Sequence, residues 1–441
     1  MNATKDVSFV VAPGGRLNGR LRVPGDKSIS HRAIMLGALA EGVTEVSGFL
    51  QGEDSLATLA AFRRLGVPIV GPEAGQVRIE GVGLHGLQAP DSPLDLGNSG
   101  TSMRLLAGLL AGQTFPTTLI GDASLSRRPM RRVTEPLGRM GARILTTDQG
   151  TAPLRIEPVP QLRAIDYTLP VASAQIKSCL LLAGLYALGD TCVRETAPTR
   201  DHTERMLANF GYPVRRAGSR VCVSGGERLR GRAIAVPADI SSAAFFLVGA
   251  SIAPGSDLTL LEVGMNPTRT GVIQILRAMG AVIDVIAARE AGGEPVADLR
   301  VRGAPLHGIH IPEDQVPLAI DEFPALFVAA ACAEGETLLS GAAELRVKES
   351  DRIQVMAEGL AILGIEVEPR PDGIRIRGGR LGSGVIDSHG DHRIAMAFAM
   401  AGLRATGAIS IRDCANVDTS FPGFVDLAAG AGLKIGELRQ K

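Results

Sequence analysis

Residues Pro24 to Arg32 read Pro-Gly-Asp-Lys-Ser-Ile-Ser-His-Arg, which places two cations, two hydroxyls and a histidine between two differently patterned stretches. Lysine, arginine and hydroxyls in such a run are the chemistry of anion binding. Upstream, Leu21 and Val23 alternate with Arg20 and Arg22 as on a half-buried strand. Downstream, Ala33 to Ala40 reads as helix, so Lys27 and Ser28 fall near a helix start, where unbonded backbone N–H groups attract phosphate. An ordinary capped helix with surface charges explains the same residues, because Asp and Ser are common N-caps.

Five further segments share this character. Leu96-Gly97-Asn98-Ser99-Gly100-Thr101 runs a small polar loop into an apolar helix, either an anion cradle or a tight turn with its cap. Ser126 to Arg132 holds four arginines within six residues, and Pro129 biases Arg128 toward an extended backbone that can present its guanidinium to a carboxylate or phosphate. A solvated face and RNA binding remain open for that cluster. Val171 to Ser178 and Thr199 to Glu204 each open a helix with polar side chains, and either alone would be a cap. In Leu345 to Ile353, Lys348 and Arg352 share a helical face at i, i+4 with Glu349 beside them, as a surface salt-bridge patch also would.

Asp321 and Glu322 precede an apolar helix, Ala325 to Ala331, so Asp321 is either a plain N-cap or a general base. Ser388-His389-Gly390-Asp391-His392-Arg393 hints at a metal, but the adjoining arginine argues against it and no metal is expected. Gly81 to Gly86 fits the dinucleotide pattern by letter. No helix can open there, because Pro90 and Pro93 follow.

These residues need a scaffold, and the chain announces it by repetition. An apolar helix end, a glycine and a short alternating strand recur at Gly66, Gly141, Gly211, Gly280, Gly364 and Gly432, spaced 75, 70, 69, 84 and 68 residues apart. Each glycine reads as a helix stop in the left-handed conformation. Units of about 70 residues exceed the common solenoid repeats, which are roughly 20–50 residues long, and hold two helices and three or four strands. No Ser/Pro/Gly linker or charge block interrupts the chain, and Pro237 to Ala244 begins an unusually apolar helix near the midpoint, so a crossover is placed just before it.

Bulk composition narrows the function. Lys plus Arg equals Asp plus Glu at 46 each, and aromatics are 3% with no Trp, which disfavours nucleic-acid and membrane partners. The N-terminus lacks the apolar core of a signal peptide, and the longest apolar runs, such as Cys179 to Leu188, are too short to span a bilayer. A cytoplasmic protein is expected. The five cysteines are scattered without a Cys-x-x-Cys pair and read as small buried hydrophobes in a reducing compartment, not as a disulfide or zinc framework.

Taken together, Gly25 to Arg32, Gly97 to Thr101, Arg128-Pro129-Met130, Ser173-Ala174-Gln175, Arg346 to Arg352 and Asp391-His392-Arg393 closely resemble, in family order and over nearly the whole chain, the 5-enolpyruvylshikimate-3-phosphate synthases. The resemblance implies a two-domain inside-out α/β barrel of six βαβαββ units, three per domain, with the active site between the domains. One domain would be residues 1–24 plus 239–441 and the other 25–238, with crossovers near 24–26 and 237–239.

The implied reaction moves the enolpyruvyl group of phosphoenolpyruvate to the 5-hydroxyl of shikimate 3-phosphate by addition and elimination. No cofactor is implied, and the protein would act as a monomer. By position, Lys27, Ser28, Arg32, Ser173, Ala174, Gln175, Arg200, Asp321 and Lys348 would hold shikimate 3-phosphate. Lys27, Gly100, Arg128, Gln175, Arg352 and Arg393 would hold phosphoenolpyruvate. Asp321 would be the general base, with Glu349 and Lys27 managing the proton at the enol methylene.

Ala174 and Thr419 depart from one branch of the family and point to its second, often glyphosate-tolerant class, although Gly100 lacks the methyl some tolerant members carry. Two rival readings exist. A sister enolpyruvyl transferase acting on UDP-N-acetylglucosamine usually carries a cysteine in the loop matching Asp122 to Arg132, and this loop has none. An RNA-processing protein on a related fold would use the Arg127 to Arg132 cluster and show salt-sensitive binding.

Overall fold

The computed structural model describes residues 7–439. The chain forms two compact units. Unit 1 takes the chain up to Pro24, Pro237–Glu290 and everything from Pro295 onward, while unit 2 takes Gly25–Val236 and Ala291–Glu294. Each has its own hydrophobic core.

Twelve α-helices lie among the described residues, two per repeat. In unit 2 they are α1 (Lys27–Leu39) and α2 (Glu53–Arg64), α3 (Gly100–Leu110) and α4 (Arg131–Arg139), and α5 (Ala174–Gly184) and α6 (His202–Asn209). In unit 1 they are α7 (Ile240–Ile252) and α8 (Gly271–Ala278), α9 (Phe323–Cys332) and α10 (Arg352–Ile362), and α11 (His392–Ala401) and α12 (Phe424–Ala431).

Six of the seven sheets among the described residues repeat one plan. In the second repeat of unit 2, Leu94–Asp95 runs parallel to Thr117–Ile120, Leu154–Glu157 pairs antiparallel on the far side, and Arg143–Leu145 closes the edge. The strand order is therefore first, second, fourth, third. The same order recurs in five sheets. In the sixth, isolated bridges at His307 and His310 replace the first strand.

Distant strands complete the first repeat of unit 2 and two repeats of unit 1. Ala233–Ala235 pairs with Glu41–Ser47, Val7–Gly15 lies between Ile409–Arg412 and Leu433–Arg439, and Asn18–Leu21 pairs with Asp257–Gly264. That pairing is why the N-terminal strands group with the second half of the chain.

The first helix of each repeat lies inside and the sheets lie outside. α7, α9 and α11 pack on one another in unit 1, as α3 does on α1 and α5 in unit 2. Helices surrounded in this way must be apolar all round. Every residue of α7 is buried, and so are nine of the ten in α9. All six repeat glycines have positive φ, between 82° and 115°, so each ends its helix in the left-handed region as the spacing predicts. No described helix is long and apolar enough to cross a membrane.

The cysteine expectation needs correction. Cys192 and Cys222 form a disulfide with Cα atoms 4.1 Å apart, because the antiparallel register of Asp190–Arg194 on Arg220–Ser224 sets them directly opposite. They are 30 residues apart in sequence, and nothing but that register brings them together. Cys179, Cys332 and Cys414 remain free thiols. Burial pushes each up to about 12, which suits small apolar side chains rather than nucleophiles.

Candidate active site

The candidate residues sit at or within a few residues of helix starts, and each unit brings its own starts together. In unit 2, Asp26 caps α1 by accepting from the Ile29 N–H at 2.8 Å, which fixes Lys27 as the first helical residue. The Lys27 ammonium contacts Asp54 in the first turn of α2. Ser99 caps α3 and Ser173 caps α5, so Gly100 and Ala174 open their helices.

Between α3 and α5 stands a polar lattice. Gln175 accepts from Arg104 Nη1 at 2.6 Å and donates to Thr101 Oγ1 at 3.1 Å. Arg128, extended at φ −74° and ψ 138° as its neighbour Pro129 predicts, donates to Asn98 Oδ1 at 2.6 Å. Gly100 lies against both guanidiniums. A Cβ there would stand 3.0 Å from Arg104 Nη1 and 3.1 Å from Arg128 Nη1.

Arg32 is deeper than a simple ligand-binding arginine. It donates to Thr203 Oγ1 at 2.6 Å, Ser178 Oγ at 2.9 Å and the Ser28 carbonyl at 2.9 Å, tying α1 to α5 and α6. Burial lowers its pKa to about 10; Glu204 and Asp26 oppose the fall and Arg200 adds to it. His31 leaves the anion-binding set altogether. It is buried on Thr58 Oγ1 at 2.8 Å, and burial, then Lys27 and Arg32, hold it neutral with a pKa well below the ordinary histidine value.

Unit 1 gathers its candidates around Arg352, which is only 1% exposed. Its Nε donates to Asp391 Oδ2 at 2.8 Å, Nη2 to Glu349 Oε2 at 2.6 Å and Nη1 to Asp321 Oδ1 at 3.3 Å. Burial acts to lower the Arg352 pKa, but Asp391, Glu349 and Asp321 together raise it above the arginine range. For Asp391, burial pushes the carboxyl up and Arg352 outweighs it, leaving the pKa below the usual carboxylate value. Lys348 Nζ stands 3.5 Å from the same Asp321 oxygen, and Arg393 Nη1 donates to the Asp321 carbonyl at 2.9 Å.

Two sequence-based expectations change here. Lys348 and Arg352 do not share a helical face: Asp351 caps α10 by accepting from the Gln354 N–H, so the helix begins at Arg352 and Lys348 is extended. The two cations meet at Asp321 through space. Nor is Asp321 an N-cap, since Glu322 holds that position without a side-chain bond to the helix. Asp391 also caps α11, through the Arg393 N–H at 2.9 Å, so its carboxylate is committed to a cap and an arginine rather than to a metal.

Unit 2 thus gathers cations near its helix starts, and unit 1 gathers cations with three carboxylates, Asp321, Glu349 and Asp391. The family model for EPSP synthase (3-phosphoshikimate 1-carboxyvinyltransferase) matches residues 11–427. The chain belongs to the EPSP synthase family. It is 70% identical over 431 residues to the 3-phosphoshikimate 1-carboxyvinyltransferase of Methylococcus capsulatus, covering 98% of this chain and 99% of that protein. It is 72% identical over 430 residues to the enzyme of the same name from Alkalilimnicola ehrlichii, covering 97% and 96%. A solved structure of EPSP synthase from Acinetobacter baumannii superposes with a TM-score of 0.89 at 59% identity, covering 98% of this chain and all of that one.

Within this EPSP synthase family member, sequence reasoning missed Arg104 and Glu322. Arg104 is the one charged residue in an apolar helix, four residues after Gly100, and that placement was a usable signal. Glu322, the second carboxylate before α9, carries no spacing signal of its own. It is buried, accepts from Ser241 of α7 and stands 3.9 Å from Arg393.

Proposed function

We propose that this chain transfers the enolpyruvyl group of phosphoenolpyruvate to the 5-hydroxyl of shikimate 3-phosphate, releasing phosphate. The observation that carries this reading is a pair of carboxylates, Asp321 and Glu349, on one buried guanidinium, at 3.3 and 2.6 Å from Arg352 Nη1 and Nη2. Addition followed by elimination needs a base for the hydroxyl and an acid for the enol carbon. Cations must also meet the transferred phosphate.

Asp321 takes the 5-hydroxyl proton while that oxygen bonds to C2 of phosphoenolpyruvate. Glu349, with Lys27, supplies a proton to C3, which becomes a methyl group. In the tetrahedral intermediate the C2–O bond to phosphate then breaks, the methyl returns a proton, and the C2–C3 double bond re-forms. The hydroxyl proton leaves in effect with inorganic phosphate.

Lys27, Ser28, Arg32, Ser173, Ala174, Gln175, Arg200 and Lys348 would hold shikimate 3-phosphate. Lys27, Gly100, Arg128, Gln175, Arg352 and Arg393 would hold phosphoenolpyruvate, with Lys27 serving both. Each charge-assisted bond contributes about 1.5–3 kcal/mol net, so several offset the repulsion between two anionic substrates. Action as a cytoplasmic monomer is part of the same proposal.

The deciding assay measures phosphate released from phosphoenolpyruvate. Release should depend on shikimate 3-phosphate. Release supported only by UDP-N-acetylglucosamine, or by neither acceptor, overturns the reading.

A further inference from the structure

Unit 2 buries a set of charges that the reaction above does not use. Lys177, on α5 one turn after Ser173, has no solvent exposure at its side chain, and its Nζ lies 2.8 Å from Glu195 Oε1 and 2.7 Å from Glu204 Oε1. Both carboxylates are themselves buried. Ion triads of this kind are weak sources of stability, since apolar residues of similar volume often serve as well or better. Three buried charges therefore call for a geometric role.

That role is written in the partners of Glu195. The carboxylate oxygen that meets Lys177 also accepts from the Thr199 N–H at 3.0 Å and from the Thr199 hydroxyl. The segment Thr196 to Pro198 is thereby closed into a loop whose last pinned residue is Thr199, and the next residue is Arg200. Glu204 fixes the other side, because it lies on α6, which starts two residues after Arg200. Its neighbour Thr203 donates to Ser178 at 2.8 Å, next to Lys177. One ammonium thus holds both flanks of Arg200 to the helix that carries Ser173, Ala174 and Gln175.

We propose that Lys177 is a positioning residue for acceptor binding: through Glu195–Thr199 on one side and Glu204 on the other, it sets where Arg200 presents its guanidinium to the acceptor phosphate or carboxylate. This rests on the functional reading above and names one determinant of affinity for its acceptor. The outer face adds restraint. Arg216 approaches Glu195 Oε2 at 3.6 Å and Asp201 Oδ2 at 3.7 Å.

The test is steady-state kinetics of Lys177→Met with each substrate varied in turn. KM for shikimate 3-phosphate should rise about tenfold or more, the scale of a misplaced binding group, while KM for phosphoenolpyruvate and kcat stay within about twofold to threefold. In an Arg200→Ala background the same change should raise the acceptor KM little further, because both act through one contact. Should Lys177→Met fail to fold, Thr199→Val removes only the hydroxyl bond to Glu195 and must reproduce the acceptor-selective rise. Equal loss of affinity for both substrates, an undiminished effect beside Arg200→Ala, or an unchanged acceptor KM in Thr199→Val overturns the proposal. A wild-type protein inactive with shikimate 3-phosphate sinks the functional reading itself, whereas an active wild type with any of those variant results sinks this inference alone.

Discussion

The two units build their cation clusters differently. In unit 2, Arg128 and Arg104 are oriented by the amide oxygens of Asn98 and Gln175, which accept hydrogen bonds without contributing charge. In unit 1, Arg352 is oriented by three carboxylates, Asp391, Glu349 and Asp321. An amide oxygen sets the direction of a guanidinium without adding a charge beside it. A carboxylate-held one shares its site with groups that accept and return protons. On the proposed function, the groups that exchange protons, Asp321 and Glu349, both lie in unit 1, while both units supply cations to the anions.

The largest expected effect attacks the proton-transfer side. Asp321→Ala removes the carboxylate that Arg352 and Lys348 both approach. kcat should fall about 10²- to 10⁴-fold, the usual worth of a positioned base, while shikimate 3-phosphate binding, measured by calorimetry, weakens by about tenfold or less, the scale of one lost hydrogen bond. Unchanged turnover would remove Asp321 as the base and the division of labour with it.

A smaller effect is expected in unit 2. Gly100→Ala introduces a methyl within 3.0–3.1 Å of the Arg104 and Arg128 guanidiniums, closer than a carbon comfortably stands, so both must yield by a few tenths of an ångström. The backbone allows the change, since Gly100 opens α3 and is not among the glycines with positive φ. KM for phosphoenolpyruvate should rise roughly three- to tenfold with kcat little altered, since a full 1 Å displacement is worth about a hundredfold. A matching rise in acceptor KM would place the disturbance at Gln175, which the proposal gives to both substrates, rather than at the two guanidiniums alone.

Legibility from sequence followed the range of the interactions. The repeat glycines, the starts of α1, α3 and α5 and the extended Arg128 are local, set by a left-handed stop, a cap or a following proline, and could be read directly; the starts of α9 and α10 could not. Pairing across the chain could not. The opposition of Cys192 and Cys222 depends on strand register, and the meeting of Lys348 with Arg352 at Asp321 depends on the packing of α9 against α10. The Lys177 triad hid for a third reason: a lysine on an apolar helix gives no sign, in its neighbours, of which distant carboxylates will enclose it.

His31 supplies the smallest and finest test, because it asks whether unit 2 limits its own positive charge. The ring is buried beside Lys27 and Arg32, with its folded pKa depressed well below 6.5. As pH falls through about 6.5 the unfolded chain takes up a proton that the folded chain refuses. Protons bound then favour the unfolded state, so stability from this group is intact above that pH and declines below it, by up to about 1.4 kcal/mol per pH unit until the folded pKa is reached. His31→Gln keeps a polar atom within reach of Thr58 and removes the titration. Thermal midpoints compared at pH 7.5, 6 and 5 should therefore fall less steeply in the variant than in the wild type. Equal slopes would mean that His31 titrates alike in both states, and that neither its burial nor the cations beside it exclude another positive charge.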